Sequence, residues 1–100
     1  MDEENTGISE NTVYIGKKPT MAYVFAVMTQ FEKDQAEVML KARGKSISKA
    51  VDVTEIVKNK FPDKVEVANI VTSTEEMESE DGKSLRVSAI EVRLARKDES

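Results

Sequence analysis

Gly44, Lys45 and Ser46 stand in the order that closes a nucleotide-binding phosphate loop. Such a loop cradles phosphates with backbone N–H groups and needs a glycine five residues before the Gly of its Gly-Lys-Ser, where this chain has Met39. The cradle is therefore missing. Asp52 and Glu55 offer a carboxylate pair, but at helical spacing beside Lys49 they read as a solvated helix face. The chain has no histidine and no cysteine, which removes the usual general base, the commonest metal ligand and every thiolate site or disulfide. With no triad and no metal-ligand spacing, an enzyme is not expected, nor is a cofactor or a small-molecule substrate.

The chemistry that remains is cationic. Lys17-Lys18 and Arg43-Gly44-Lys45 are two short basic groups more than twenty residues apart. The net charge of -4 argues against a polyanionic partner only if the charges are evenly spread, and they are not. Eleven of the nineteen acids lie in three places: residues 1–10 (Asp2, Glu3, Glu4, Glu10), residues 75–81, and Asp98 with Glu99. Everything else carries all 15 bases against eight acids, a body of +7 with acidic appendages.

The elements that must position these groups can be read from punctuation and periodicity. Thr12 to Ile15 forms a short β-rich run ended by Gly16-Lys17-Lys18-Pro19. Proline suits the first turn of a helix, which predicts a helix from Pro19 or Thr20 to about Lys33. Its stretch Met21 to Phe31 is almost continuously apolar, so it should be covered on more than one side, as core or as the interface of a symmetric dimer. Glu37 to Ala42 reads as a strand. Ile47, Ala50, Val51, Thr54, Val57 and Phe61 recur at helical spacing, and Pro62 stops that helix. Lys64 to Thr74 alternates as a strand, with Val65, Val67 and Val71 on one face. The last strand, Lys83 to Arg96, switches its apolar parity from Leu85, Val87 and Ala89 to Ile90, Val92 and Leu94, the mark of a bulge or of a half that leaves the body. Glu75 to Asp81 with Gly82 makes an acidic hairpin tip.

The order β-α-β-α-β-β has a geometric consequence. If the first helix is a right-handed crossover between parallel neighbours, both strand-to-helix loops emerge at one edge of the sheet. Lys17 and Lys18 then lie near Arg43 and Lys45, beside helix N-termini that favour anions. Loop lysines can also serve solubility alone, and Phe61 reads either as a core cap or as an exposed aromatic contact.

Tyr14-Ile15-Gly16-Lys17-Lys18-Pro19, Lys41 to Asp52, Glu55 to Lys64, and Arg86-Val87-Ser88 leading into Ile90-Glu91-Val92 resemble the archaeal Alba family of DNA- and RNA-binding chromatin proteins, over about residues 12 to 96. The resemblance implies an α+β two-layer sandwich like an initiation-factor carboxy-terminal domain, with a mixed four-stranded sheet, two helices and a long β-hairpin. It implies a single domain over 11–97 between an acidic flexible tail at 1–10 and a short tail at 98–100. It further implies a homodimer, enzymatically inert, that binds double-stranded DNA or RNA along the phosphate backbone in the cytoplasm, associated with the nucleoid. The nucleic-acid contacts expected on that basis are Lys17, Lys18, Arg43, Lys45, Lys49, Lys58, Lys60, Lys83 and Arg86. Lys17 matches a reversibly acetylated position, and Asn59 and Phe61 match the place where dimers meet side by side on DNA. Lys45 and Lys60 stand where some relatives have arginine, which keeps the charge without the planar fork. The acidic tip departs from the family's basic arms, and leaves structured RNA, or an adaptor that engages basic partners through its hairpins, as alternatives. No membrane segment is expected: the apolar run Met21 to Met28 is far shorter than the roughly 18 residues of a span, and Asp2, Glu3 and Glu4 oppose a signal peptide.

Overall fold

The computed structural model describes residues 8–9 and 11–97. Strands β1 (Ile8–Ser9), β2 (Thr12–Tyr14), β3 (Glu37–Arg43), β4 (Val65–Glu78) and β5 (Ser84–Arg96) form one sheet in the order β1-β2-β3-β5-β4, with helices α1 (Thr20–Glu32) and α2 (Ile47–Lys60) packed on it. The four principal strands are those expected, mixed in direction. β1 is a two-residue addition that pairs antiparallel with β2, inside the stretch read from sequence as a tail. The acids of residues 1–4, Glu10, and the tail at 98–100 lie outside the described residues.

Why the chain folds this way is clearest at the punctuation. Pro19 sits at the α1 cap with φ -61° and ψ 150°, extended as the residue before a helix should be. Asp34 closes that helix in the left-handed region, at φ 67°. β2 and β3 then pair in parallel, Val13 opposite Leu40 and Tyr14 opposite Lys41, with α1 as the crossover. The pairing runs one residue past β2, since the Ile15 amide donates to the Lys41 carbonyl at 2.8 Å.

The core lies between the sheet and the two helices. Val13, Val38, Leu40, Val92 and Leu94 from the strands meet Val24, Val27, Ala50, Val53 and Val57 from the helices, all essentially without solvent contact. Thr54 is buried among them, its hydroxyl returned to the Ala50 carbonyl at 2.8 Å.

Two expectations are corrected. Val53, not Val51, belongs to the buried stripe of α2, and Val51 is exposed. The apolar face read as Val65, Val67 and Val71 is split, because the register shifts between Val67 and Asn69 with Ala68 as the extra residue. Val67 thereby pairs with core-facing Leu94, while Val71 pairs with Glu91 on the opposite face. Within one chain α1 buries Tyr23, Val24, Val27 and Gln30, and Phe25 is 61% exposed. The chain itself covers one side of this helix.

The parity switch in the last strand marks a half that leaves the body. β5 is unbroken, and its first half pairs with β4 from Thr74 opposite Ser88 out to Glu78 opposite Ser84, giving extents of 53 × 29 × 21 Å.

Candidate functional site

Strand direction decides which basic groups meet. β2 and β3 run parallel, and β4 runs the same way because both β3 and β4 are antiparallel to β5. The β2–α1 loop, the β3–α2 turn and the hairpin therefore all leave the sheet at one edge. Lys17, Lys18, Arg43 and Lys45 lie there, all exposed. Neither helix that begins at this edge has an acid in its first turn or a side-chain cap, so the positive ends of both helix dipoles add to the field of the lysines.

Each loop has a local cause. Gly44 adopts φ +60° at the start of a single 3-10 turn, Gly44–Ser46, and a Cβ there would stand 3.5 Å from Val87. Its glycine serves chain reversal, which explains the phosphate-loop likeness without a cradle. In the β2–α1 loop the Tyr23 hydroxyl accepts from the amides of Gly16 at 2.9 Å and Lys18 at 3.0 Å. The Lys49 ammonium donates to the carbonyls of the same two residues, at 3.2 and 2.6 Å, and lies 5.9 Å from the centre of the Tyr23 ring. Lys49 thus reaches the edge but spends two of its three donors on the loop's backbone.

Arg43 is likewise engaged: it bonds Glu75 on the hairpin at 2.8 Å, both side chains about half exposed. An exposed pair of this kind is worth about 0.2–1 kcal/mol. Glu75→Gln is therefore expected to raise the affinity of any polyanion for this edge by up to about fivefold per protomer, measured by titration at fixed moderate salt. Unchanged or weaker binding would mean that Arg43 does not meet the ligand.

The remaining expected residues are elsewhere. Lys58, Asn59, Lys60 and Phe61 lie at the far end of α2, about 20 Å from its start at 1.5 Å per residue. There Lys58 pairs with Glu55 at 3.1 Å. Phe61, half-buried against the core, lines an apolar cleft of about 210 Å³ with Met28, Phe31, Val57, Val65 and Arg96. Phe61 both caps the core and presents an edge to that cleft. Lys83 and Arg86 ride on the projecting hairpin, where Arg86 opposes Glu76 in register, 3.9 Å away. At the tip the Ser79 hydroxyl, and then the Lys83 amide, hold the Asp81 carboxyl below its ordinary range, so that charge persists. Tyr23 and Glu75 were not legible as site residues. Tyr23 reads as one more apolar position, and no local signal links Glu75 to an arginine 32 residues away.

The Alba sequence profile matches residues 11–74, which contain both basic loops and all of α2. The chain belongs to the Alba family. It is 52% identical over 90 residues to the DNA/RNA-binding protein Alba 1 of Archaeoglobus fulgidus, covering 90% of this chain and all of that one. It is 47% identical over 87 residues to the DNA/RNA-binding protein Alba of Methanocella arvoryzae, covering 87% of this chain and 91% of the relative. Among solved structures, Alba from Thermoplasma volcanium superposes with a TM-score of 0.80 at 49% identity, over 86% of this chain and all of that one. ALBA1 from Trypanosoma brucei does so at 0.74 and 25% identity, over 91% and 73%. The first two relatives are named as nucleic-acid-binding proteins, not enzymes, which agrees with the residue inventory of this Alba chain. Lys83 and Arg86 fall outside the matched span. Among the described residues no helix is long and apolar enough to cross a membrane.

Proposed function

We propose that this Alba chain is a non-enzymatic, two-fold dimeric protein of archaeal chromatin that binds DNA and RNA through the phosphate backbone, largely independently of sequence. The observation that carries the reading is the parallel β2–β3 pairing, which brings Lys17, Lys18, Arg43 and Lys45 to one edge of the sheet. Phosphate contacts supply affinity without reading bases. The edge offers ammonium and guanidinium groups on loops, and the one ribbon that leaves the sheet there among the described residues, the β4–β5 hairpin, ends in an acidic tip. A dimer is favoured by the apolar residues the chain leaves uncovered, Met21 and Phe25 on α1, Val51 on α2 and Ile70 on β4. Phe61 and Asn59, beside an apolar cleft at the other end, are suited to contact between neighbouring dimers, with Lys58 and Lys60 as outer phosphate contacts. Lys83 and Arg86 contribute least, among the acids of the arm. Acetylation of exposed Lys17 would remove one charge from the patch and weaken binding. Such a protein works in the cytoplasm, on the nucleoid.

The test is a mobility assay with Lys17→Ala/Lys18→Ala against wild type on unrelated duplex sequences. Four lysines per dimer are removed, so affinity is expected to fall roughly tenfold or more at moderate salt, equally on every sequence, and the salt slope to shrink by about one unit per lost contact. Unchanged affinity would place the site elsewhere. Competition between DNA and RNA duplexes at one salt concentration ranks the two polymers, since the same lysines can face an A-form backbone and its 2'-hydroxyls. The exposed acids of the arm favour a second reading, an adaptor for basic proteins. Partner capture that survives nuclease treatment would support it.

A further inference from the structure

Gly16 and Lys18, which flank Lys17, have their backbone amides and carbonyls bonded from behind: the amides by Tyr23 of α1, the carbonyls by Lys49 of α2. Two different helices thus hold the alternate residues of one three-residue segment. Tyr23 is buried at 8% exposure, its ring fixed in the core, and a Cβ on Gly16 would press to 3.4 Å of its hydroxyl oxygen. Lys49 is only partly exposed, and its ammonium makes two backbone bonds and a ring contact. Two of its three N–H donors are thereby committed to the loop. Lys17 and Lys18, in contrast, keep exposed side chains.

We propose that Tyr23 and Lys49 are positioning residues of the nucleic-acid interface: they clamp the backbone of Gly16 and Lys18 so that the loop presents Lys17 and Lys18 already ordered, and Lys49 acts through this clamp instead of meeting phosphate. The inference rests on the proposed binding at this edge and changes the role of one of its residues. Its physical basis is that a loose loop must be ordered on binding, at about 1–2 kcal/mol per residue fixed, whereas a clamped one has met that cost in folding. The tyrosine oxygen has two lone pairs, which matches its two amide donors and leaves the ring to anchor them.

The test is a double-mutant cycle with a short duplex of mixed sequence. Tyr23→Phe, which keeps the ring, is expected to weaken binding about three- to tenfold in the wild-type background and less than twofold in Lys17→Ala/Lys18→Ala, because its effect travels through those lysines. Lys49→Met is expected to weaken binding with the salt slope unchanged. Equal weakening by Tyr23→Phe in both backgrounds, or none in either, overturns the clamp's role. A slope lower by about one unit for each Lys49 removed overturns its assignment and makes it a phosphate contact. If Lys17→Ala/Lys18→Ala binds as wild type, the binding edge itself is wrong and the clamp's function falls with it. Hydrogen exchange of the free protein tests the clamp apart from any ligand: the amides of Gly16 and Lys18 should lose protection in Tyr23→Phe, and unchanged protection refutes it.

Discussion

Raising monovalent salt from 50 to 200 mM is expected to lower the affinity of this protein for duplex DNA by roughly three to four decades. Lys17, Lys18, Arg43 and Lys45 give each protomer four candidate phosphate contacts, and a two-fold dimer about eight. With a slope near -0.9 per neutralised phosphate, eight contacts predict a logarithmic slope of about -7 and a loss of about four decades over this range. If both Arg43 side chains stay with Glu75, the contacts fall to about six, the slope to about -5 and the loss to about three decades. Glu75→Gln should therefore steepen the titration towards the higher value, which makes its gain in affinity largest at the lowest salt. This distinguishes release of Arg43 from a general loss of repulsion, which would raise affinity without adding a contact. Anisotropy titrations at four or five salt concentrations measure the slope directly. A nearly flat line would exclude counterion release as the driving force and, with it, this site.

How far the sequence carried these conclusions depends on the range of each signal. Pro19, Pro62 and Gly44 act within a residue or two, and the start of α1 and both ends of α2 could be read from them. The parallel crossover was legible as well, because an α-helix between two short strands leaves few other topologies. What escaped was set by partners distant in sequence. The stripe of α2 was assigned to Val51, although Val53 is the residue turned to the core, since spacing alone cannot say which of two neighbouring valines meets the sheet. The single residue inserted at Ala68 has no signature in a run of β-formers, yet it moves Val71 to the other face. Charges behaved the same way. Lys49 was read as a cation of the helix face and an expected nucleic-acid contact, with no sign that it bonds the carbonyls of a loop 31 and 33 residues away. Arg43 was read as a nucleic-acid contact, with no sign that it also meets Glu75. A count of basic residues overstates a patch whenever folding supplies some of them with internal acceptors. It cannot reveal a tyrosine whose contribution is a hydroxyl directed at backbone amides.

Leu40→Ala is expected to be the most damaging single substitution in the body of the sheet. Leu40 has no solvent exposure and stands between Val13 of β2 and Val92 of β5, in the strand that joins the parallel pair to the hairpin. Truncating such a leucine removes its transfer free energy and leaves a cavity that a close-packed core fills poorly, at a cost of about 3–5 kcal/mol. That is a large part of the roughly 5–15 kcal/mol that holds a domain of this size folded. Thermal unfolding at fixed protein concentration should show a midpoint lower by about 12–40 °C. Since Leu40 touches neither loop's cations, the variant should bind DNA with the wild-type salt slope wherever it is folded, and saturating duplex should restore much of the lost midpoint through linkage. A variant that kept its midpoint would show that the β2–β3–β5 junction is not the tightly packed centre of the fold. A variant that folded but lost the slope would show that the two loops are held together by more than the strands that end in them.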